Sequence, residues 1–259
     1  MIGEAGGGST PDPEDGVAED ALLGGRVRLL QRSGGHRAGT DAVLLAALAA
    51  PRPGQRVIDV GAATGAVGLM IAALAPGAEV VFVERDPELA ALCRRNIAFN
   101  GVTGRVAEAD ILDRASRQAA DLSPENADMV VTNPPFLEEG RARVSPDPGR
   151  ARAHMLPPGG LEAWLRACAA LVAPKGTLAL IHRADRLHDC LDGIRQGFGD
   201  VRLRLVHPRA DAPAARLLLR AVKGSRAPLR VEPPLILHDP SGRFTPLAEA
   251  LHRGDASLA

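Results

Sequence analysis

Short, continuous apolar runs alternate with segments of helical periodicity from Arg56 to Ile181, and this alternation limits the fold more than any other feature. Runs of this length and composition are typical of strands buried on both faces of a sheet. The predicted strands lie at 57–60, 80–83, up to about residue 110, 129–132 and 177–181. Helical segments of about 10–15 residues separate them, so a mostly parallel α/β sheet covered on both faces is predicted.

Composition around this core sets the expected domain boundaries. Residues 1–20 are rich in Gly, Pro and acidic residues, so we expect a disordered leader. Residues 21–259 are expected to form one domain, with a hairpin and helix over 21–50, a cofactor-binding core over 51–200 and C-terminal strands over 201–259. Those last strands should be antiparallel at one edge. Thr40 and Asp41 precede an apolar run and are predicted to cap its helix.

The charge balance is neutral, with 31 basic and 31 acidic residues, so the total charge says nothing about partners. The three cysteines lack C-x-x-C spacing, which disfavours a zinc site or a disulfide framework and fits a reducing cytosol. The first residues carry no basic run, and no segment has the roughly 20 apolar residues that a membrane helix requires. We therefore expect a soluble cytoplasmic protein without a metal site, with a monomer favoured.

A glycine-rich turn, DVGAATG at residues 59–65, follows the first predicted strand. Glycines at such a turn let a cofactor approach the backbone at the carboxyl ends of the strands. Asp59, Gly61, Ala63 and Gly65 are therefore candidate cofactor contacts. The spacing is G-x-x-x-G rather than the G-x-G-x-x-G of dinucleotide sites, and a plain tight turn would show the same residues.

Acidic side chains at the ends of the next two strands would complete a nucleoside site. Glu84 lies about 20 residues after the turn, where a carboxylate can accept hydrogen bonds from both ribose hydroxyls. This serves NAD and S-adenosylmethionine equally, and a solvated loop acid would look the same. Asp110 could accept from an adenine amine, with Ile111 against the ring. Arg85, next to Glu84, is assigned to the same pocket.

The motif Asn133-Pro134-Pro135-Phe136 follows the fourth predicted strand and points to transfer onto an aromatic amine. Such an amine is a poor nucleophile because its lone pair is delocalised into the ring. The Asn133 side-chain oxygen and the Pro134 carbonyl would each accept one amine N–H, which favours a pyramidal nitrogen. The prolines fix φ and hold these acceptors rigidly. Phe136, one of six aromatic residues in a chain without tyrosine, would stack on the base.

With these motifs the chain resembles the class I S-adenosylmethionine-dependent methyltransferases, specifically the bacterial N6-adenine methyltransferases that modify an anticodon-loop adenosine of valine tRNA. The resemblance covers about residues 20–253. Beyond the Asn133–Phe136 motif it rests on Gln31, on GTDAVLL at 39–45 and on ARAH at 151–154. It implies a Rossmann-like, seven-stranded sheet, S-adenosylmethionine as cofactor and tRNA as partner.

The resemblance also implies that Thr40, Asp41 and Asn133 lie beside the cofactor. Ala63 departs from the family's pattern, because the turn usually carries its middle glycine there. A Cβ at this position restricts φ and would crowd the cofactor. We expect slightly altered geometry rather than lost binding.

Two arginine-rich segments are candidate RNA contacts. Residues 202–230 contain eight basic residues and one acidic residue, and residues 141–152 contain four arginines and one acidic residue. If both face one side, they form a basic surface suited to phosphates; dispersed over a solvated edge, they do not. His154 would line the pocket or cap a turn.

Several alternatives use parts of the same pattern. Methylation of a glutamine amide in a release factor needs the same Asn-Pro-Pro loop, but such enzymes usually have tyrosine next and a helical domain ahead of the sheet. Guanine-N2 methylation of ribosomal RNA fits the loop equally. A sequence-specific DNA methyltransferase would need a target-recognition region, for which we expect no room. An inactive cofactor-binding scaffold and an NAD-dependent oxidoreductase fit less well, because the loop is intact and the chain has no tyrosine.

Overall fold

An antiparallel hairpin opens the computed structural model, which describes residues 16–32, 38–138, 155–156 and 160–259. Its strands are β1 (Val17–Leu22) and β2 (Val27–Arg32), so a hairpin is present but its first strand begins ahead of residue 21, where the hairpin was predicted to start. The leader predicted over residues 1–20 is wrong at its end, because β1 begins at Val17. The acids that suggested a solvated leader are paired within the hairpin, Glu19 with Arg28 and Asp20 with Gln31. Residues 1–15 lie outside the described residues.

The core alternates strands and helices as predicted. The elements of the first half are α1 (Thr40–Ala49), β3 (Arg56–Val60), α2 (Ala66–Leu74), β4 (Glu79–Glu84), α3 (Pro87–Phe99), β5 (Gly104–Glu108), α4 (Arg114–Ala119) and β6 (Ala127–Thr132). Those of the second half are β7 (Leu137–Glu138), β8 (Met155–Leu156), α5 (Gly160–Leu171), β9 (Val172–Arg183), α6 (Leu187–Ile194), β10 (Phe198–His207), β11 (Arg216–Lys223), β12 (Arg230–Val231), β13 (Leu235–Ile236) and α7 (Pro246–Arg253).

Seven long strands form the main sheet in the order β5-β4-β3-β6-β9-β11-β10. The first five are parallel, whereas β11 is antiparallel to both β9 and β10. The Rossmann-like sheet with an antiparallel edge is therefore confirmed. The two-residue strands β12 and β13 extend that edge alongside β10.

Helices cover both faces of this sheet with apolar side chains. Helices α1, α2, α3 and α7 pack on one face, and α5 and α6 pack on the other. The strands between them are buried on both sides, as their continuous apolar runs predict. Gly68 of α2 allows close packing, since a Cβ there would lie 2.3 Å from the Phe82 ring. Within the described ranges, no helix has the length and hydrophobicity needed to cross a membrane.

The candidate site residues lie at one edge of the sheet, where the parallel strands end. The parallel strands β3, β4, β6 and β9 all end there, and the antiparallel strand β11 begins there, with Arg216 opposite Arg183. Thr132 at the end of β6 is opposite Leu180 of β9, so the loop that leaves β6 begins beside the last residues of β9. The carboxyl edge is where open α/β sheets bind ligands.

Candidate active site

The glycine-rich turn lies across the end of β4. The backbone N–H groups of Gly61 and Ala62 both donate to the Val83 carbonyl, at 2.9 and 3.0 Å. Gly61 and Gly65 have φ angles of 75° and 91°, in the left-handed region that favours glycine. A Cβ at Gly65 would also lie 2.8 Å from the Cys93 sulfur. The structure thus explains why these two positions hold glycine.

Ala63 adopts the left-handed conformation that a glycine would favour, with a φ of 49°. For a residue with a Cβ, this conformation costs on the order of 1 kcal/mol. The Ala63 N–H donates to Glu84 at 2.9 Å, which fixes the strained residue in place. The turn therefore keeps its backbone path despite the extra methyl group.

Glu84 ends β4, as predicted, and is 8% exposed. One carboxylate oxygen accepts from Ala63 N–H and the other from Asp86 N–H, at 2.9 and 2.8 Å. Burial raises the pKa of Glu84, although hydrogen bonds from the backbone N–H groups of Asp86, Ala63 and Arg85 oppose that shift. Each carboxylate oxygen can accept a further hydrogen bond. Glu84 thus joins the turn to β4 and keeps acceptor capacity for ribose hydroxyls.

Asp59 lies beneath the turn and is 2% exposed. Its carboxylate accepts from the Gly68 N–H in the first turn of α2, at 2.9 Å. Burial raises the pKa of Asp59 to about 7, with a smaller contribution from the charge of Glu84. Asp59 is predicted to contact the cofactor, but in the structure its carboxylate holds the turn and α2 together.

Replacing Asp59 with Asn is expected to flatten the pH dependence of stability. The folded-state pKa of about 7 exceeds the ordinary value of 3.8, so native Asp59 binds more protons than unfolded Asp59 between these limits. Its contribution therefore falls as pH rises from about 4 to about 7, by up to about 1.4 kcal/mol per pH unit. Urea unfolding of both proteins from pH 4 to 8 should show Asp59→Asn gaining stability relative to wild type with rising pH. A pH-independent difference would contradict the shifted pKa.

Asp110 and Ile111 follow β5, which ends at Glu108, two residues earlier than the predicted strand. The Asp110 carboxylate accepts from the Leu112 N–H at 2.9 Å and remains accessible, whereas Ile111 is buried. The Arg85 guanidinium lies 3.9 Å from the Asp110 carboxylate. The structure thus brings Arg85 and Asp110 together, beside Glu84.

The loop after β6 begins from a rigid anchor. The Thr132 hydroxyl donates to the Val60 carbonyl and accepts from the Trp164 indole N–H, both at 2.9 Å. The next residue, Asn133, has a buried side-chain oxygen without a hydrogen-bond partner in the described part of the chain. A buried acceptor left unpaired costs free energy, so a ligand that donates to it gains affinity. This oxygen, which has no hydrogen-bond donor among the described residues, is consistent with the predicted acceptor role of Asn133.

Phe136 contacts two residues that the sequence analysis did not assign to the site. Its ring meets the His182 ring edge to face, with centroids 5.2 Å apart, and the Arg216 guanidinium carbon lies 5.2 Å from its centroid. Arg216 in turn donates to the Asp41 carboxylate at 2.9 Å. The four residues form a continuous set of contacts from α1 to the loop after β6, and they bring Asp41 to the same edge.

The helix-cap prediction for Thr40 and Asp41 is wrong. Gly39 is the N-cap of α1, Thr40 is its first helical residue, and no side chain caps the helix. The Thr40 hydroxyl lies 3.2 Å from Nε2 of His252 in α7 instead. The side chains of Thr40 and Asp41 thus contact residues that are distant in sequence, His252 and Arg216.

Gln31, on which the family resemblance partly rests, is buried. Its side chain donates to the Asp20 carboxylate and accepts from the Ala38 N–H.

A single basic surface formed by the two arginine-rich segments is not seen in the described residues. Residues 141–152 and His154 lie outside the described residues. In the other segment, Arg216 lies beside Phe136, whereas Lys223 donates to the Val172 carbonyl at the opposite edge of the sheet. Arg209 pairs with the segment's own acid, Asp211. The described basic residues are therefore dispersed over both edges.

The glycine turn, the strand-end acids and the Asn-Pro-Pro-Phe loop, on one edge of this sheet, define a class I methyltransferase. Residues 37–160 match the family described as methyltransferase small domain. A solved structure of a predicted O-methyltransferase from Agrobacterium tumefaciens superimposes with a TM-score of 0.71. It is 35% identical in sequence and aligns with 85% of this chain and 98% of its own.

Curated relatives carry the name tRNA1(Val) (adenine(37)-N6)-methyltransferase. The one from Aeromonas hydrophila is 31% identical over 215 residues, which are 81% of this chain and 85% of that relative. The one from Porphyromonas gingivalis is 36% identical over 159 residues, or 59% of this chain, and the alignment spans 61% of that relative's length. The chain belongs to the same methyltransferase family as these relatives. This family and its fold imply S-adenosylmethionine as the cofactor.

Proposed function

We propose that this protein methylates N6 of an adenosine in tRNA, the anticodon-loop adenosine of valine tRNA, with S-adenosylmethionine as donor. The names of the relatives supply the substrate, and the site supplies the chemistry. The observation that carries the proposal is the buried, unpartnered side-chain oxygen of Asn133. An exocyclic amine is the kind of donor that this oxygen lacks.

The residues around the turn fit the cofactor. Glu84 and Asp110 offer carboxylate acceptors for ribose hydroxyls and an adenine amine. Gly61 has no Cβ, which would lie 3.1 Å from the Trp164 ring, and so the turn can adopt its path beside these acids. Ala63, Gly65, Arg85, Ile111, Thr40 and Asp41 are proposed to line the same pocket. When bound, S-adenosylmethionine supplies a sulfonium methyl group that an amine nitrogen can attack.

The loop prepares the attacking nitrogen. The Asn133 oxygen accepts one N–H of the target amine and the Pro134 carbonyl accepts the other, which directs the nitrogen lone pair away from the ring plane. Pro135 limits movement of these acceptors. Phe136 stacks on the target base, and its contacts with His182 and Arg216 fix the ring's position. Preorganised acceptors of this kind lower the barrier without reorganisation during the reaction.

Parallel assays with labelled S-adenosylmethionine test this function against its rivals. We expect the purified protein to label unmodified tRNA and to leave ribosomal RNA and release factor unlabelled. The release-factor arm tests the glutamine alternative, and the ribosomal RNA arm tests the guanine-N2 alternative. Label in ribosomal RNA or protein but not in tRNA would overturn the proposed substrate. Label in none of them would favour the scaffold reading.

A further inference from the structure

His182 is a buried histidine whose hydrogen bonds are missing. It lies near the end of β9 and is 2% exposed. Both ring nitrogens are buried, and neither has a hydrogen-bond partner in the ranges that the structure describes. A buried polar group without a partner loses its water and gains nothing in return, so such groups are rare unless a ligand satisfies them.

The position of His182 links it to the methyl-accepting side of the site. Thr132 is opposite Leu180 in the parallel β6–β9 pair, so the Asn133–Phe136 loop begins beside the stretch of β9 that contains His182. The direct contact is with Phe136, whose ring meets the imidazole at 89°. Asn133, in the same loop, carries another buried polar atom, its side-chain oxygen, without a hydrogen-bond partner among the described residues. The polar side chains of Asn133 and His182, both without partners among the described residues, are thus associated with the Phe136 loop, Asn133 by sequence and His182 by direct contact.

The charges around His182 favour a neutral imidazole. Burial lowers the pKa of His182 to about 4, and the positive charges of Arg186, Arg183 and Arg216 act in the same direction. The negative charge of Asp185 opposes this lowering of the His182 pKa, but its effect is smaller than that of Arg186 or Arg183. A neutral imidazole carries one N–H donor and one acceptor, whereas a protonated ring would carry two donors. His182 can therefore donate one hydrogen bond without bringing a charge to the pocket.

We propose that His182 binds the target base, donating a hydrogen bond to the purine ring nitrogen beside the reacting amine. This inference rests on the proposed function and deepens it, because it names a residue that binds the base next to the reacting amine. In adenine, both ring nitrogens that flank N6, N1 and N7, are acceptors. In guanine, the N2 amine lies between N1, which carries a hydrogen and is a donor, and N3, which is an acceptor. An imidazole donor at this place therefore matches adenine N6 on either side, and guanine N2 only when that base is presented through N3.

Deaza nucleosides in the substrate test this hydrogen bond directly. The substrates are three stem-loop RNAs with adenosine, 1-deazaadenosine or 7-deazaadenosine at the target position. For the wild type, one deaza replacement should lower kcat/KM on the order of tenfold, because one buried hydrogen bond is lost. In His182→Phe, the adenosine substrate should lose a similar factor, and the same deaza replacement should cause no further loss. His182→Asn keeps an N–H donor and should recover part of the activity.

His188→Phe is the control, because His188 is 88% exposed on α6. Thermal unfolding and S-adenosylmethionine binding separate loss of the contact from loss of folding, and His182→Leu, which also lacks a donor, carries the test if the Phe variant unfolds. Equal fold-losses on deaza replacement in wild type and in the folded variant without a donor would overturn the inference while leaving the function intact. Absence of transfer by the wild type to the adenosine stem-loop and to full-length tRNA would instead overturn the proposed function.

Discussion

Asn133→Ala is expected to lower kcat for methyl transfer by about a hundredfold to a thousandfold, the range found when one preorganised polar group is removed from a reacting centre. The truncation removes the buried oxygen that has no partner within the described residues and that is proposed to accept a hydrogen bond from the target amine. Because this contact strengthens as the nitrogen becomes pyramidal, its loss should fall on kcat rather than on cofactor affinity. Single-turnover rates with tRNA and cofactor titrations provide the two measurements.

Asn126→Ala is a matched control for this variant. Asn126 directly precedes β6, Asn133 directly follows it, and Asn126 is exposed at the opposite edge. It should retain wild-type turnover. If Asn133→Ala kept more than about a third of wild-type kcat, or lost cofactor binding in proportion to activity, the assigned role of the asparagine would be wrong.

Glu84→Ala is expected to weaken S-adenosylmethionine binding by on the order of a hundredfold. The substitution removes the acceptor assigned to the ribose hydroxyls, and a hydrogen bond to a charged group contributes about 1.5–3 kcal/mol. It also leaves the Ala63 and Asp86 N–H groups without their acceptor, so the strained turn loses its support. Calorimetric titration with the cofactor measures the affinity, and thermal unfolding shows whether the protein remains folded.

Glu79→Ala is the control here, since Glu79 begins the strand that Glu84 ends and its side chain is 64% exposed. Its surface ion pair with Arg56 should contribute little to stability and nothing to cofactor binding. A folded Glu84→Ala protein with a Kd within about threefold of wild type would contradict the placement of the cofactor at this turn.

The parts of this fold that depend on local pattern could be predicted from the sequence. Buried parallel strands need continuous apolar runs, and these locate β3, β4 and β6 to within two residues at either end. Asp86 accepts from two N–H groups at the start of α3, with Pro87 in its first turn, as the local sequence signals. The glycine turn and the Asn133 loop were found because their chemistry is contained in a few consecutive residues.

Contacts between distant segments could not be predicted in the same way. In the sequence, His182 has the features of an ordinary strand residue. The pairing of β6 with β9 is what brings it beside the Asn133–Phe136 loop. Arg216 is 175 residues from its partner Asp41, so its place in an arginine-rich segment suggested RNA phosphates instead. Thr40 is predicted from the sequence to be a helix cap, but Gly39 is the N-cap. The Thr40 hydroxyl is therefore available to contact the His252 ring. The conformation of Ala63 likewise depends on Glu84, which lies on another strand.

The identity of the methylated nucleoside distinguishes transfer to adenine N6 from transfer to any other RNA atom. Valine tRNA transcribed without modifications is incubated with the protein and S-adenosylmethionine, digested to nucleosides and separated by liquid chromatography with mass detection. We expect N6-methyladenosine as the product with wild-type protein and on the order of a hundredfold less of it, or lower still, with Asn133→Ala over the same early interval. Methyl groups found on guanosine, on ring nitrogens or on ribose would contradict a site built around the exocyclic amine of adenine.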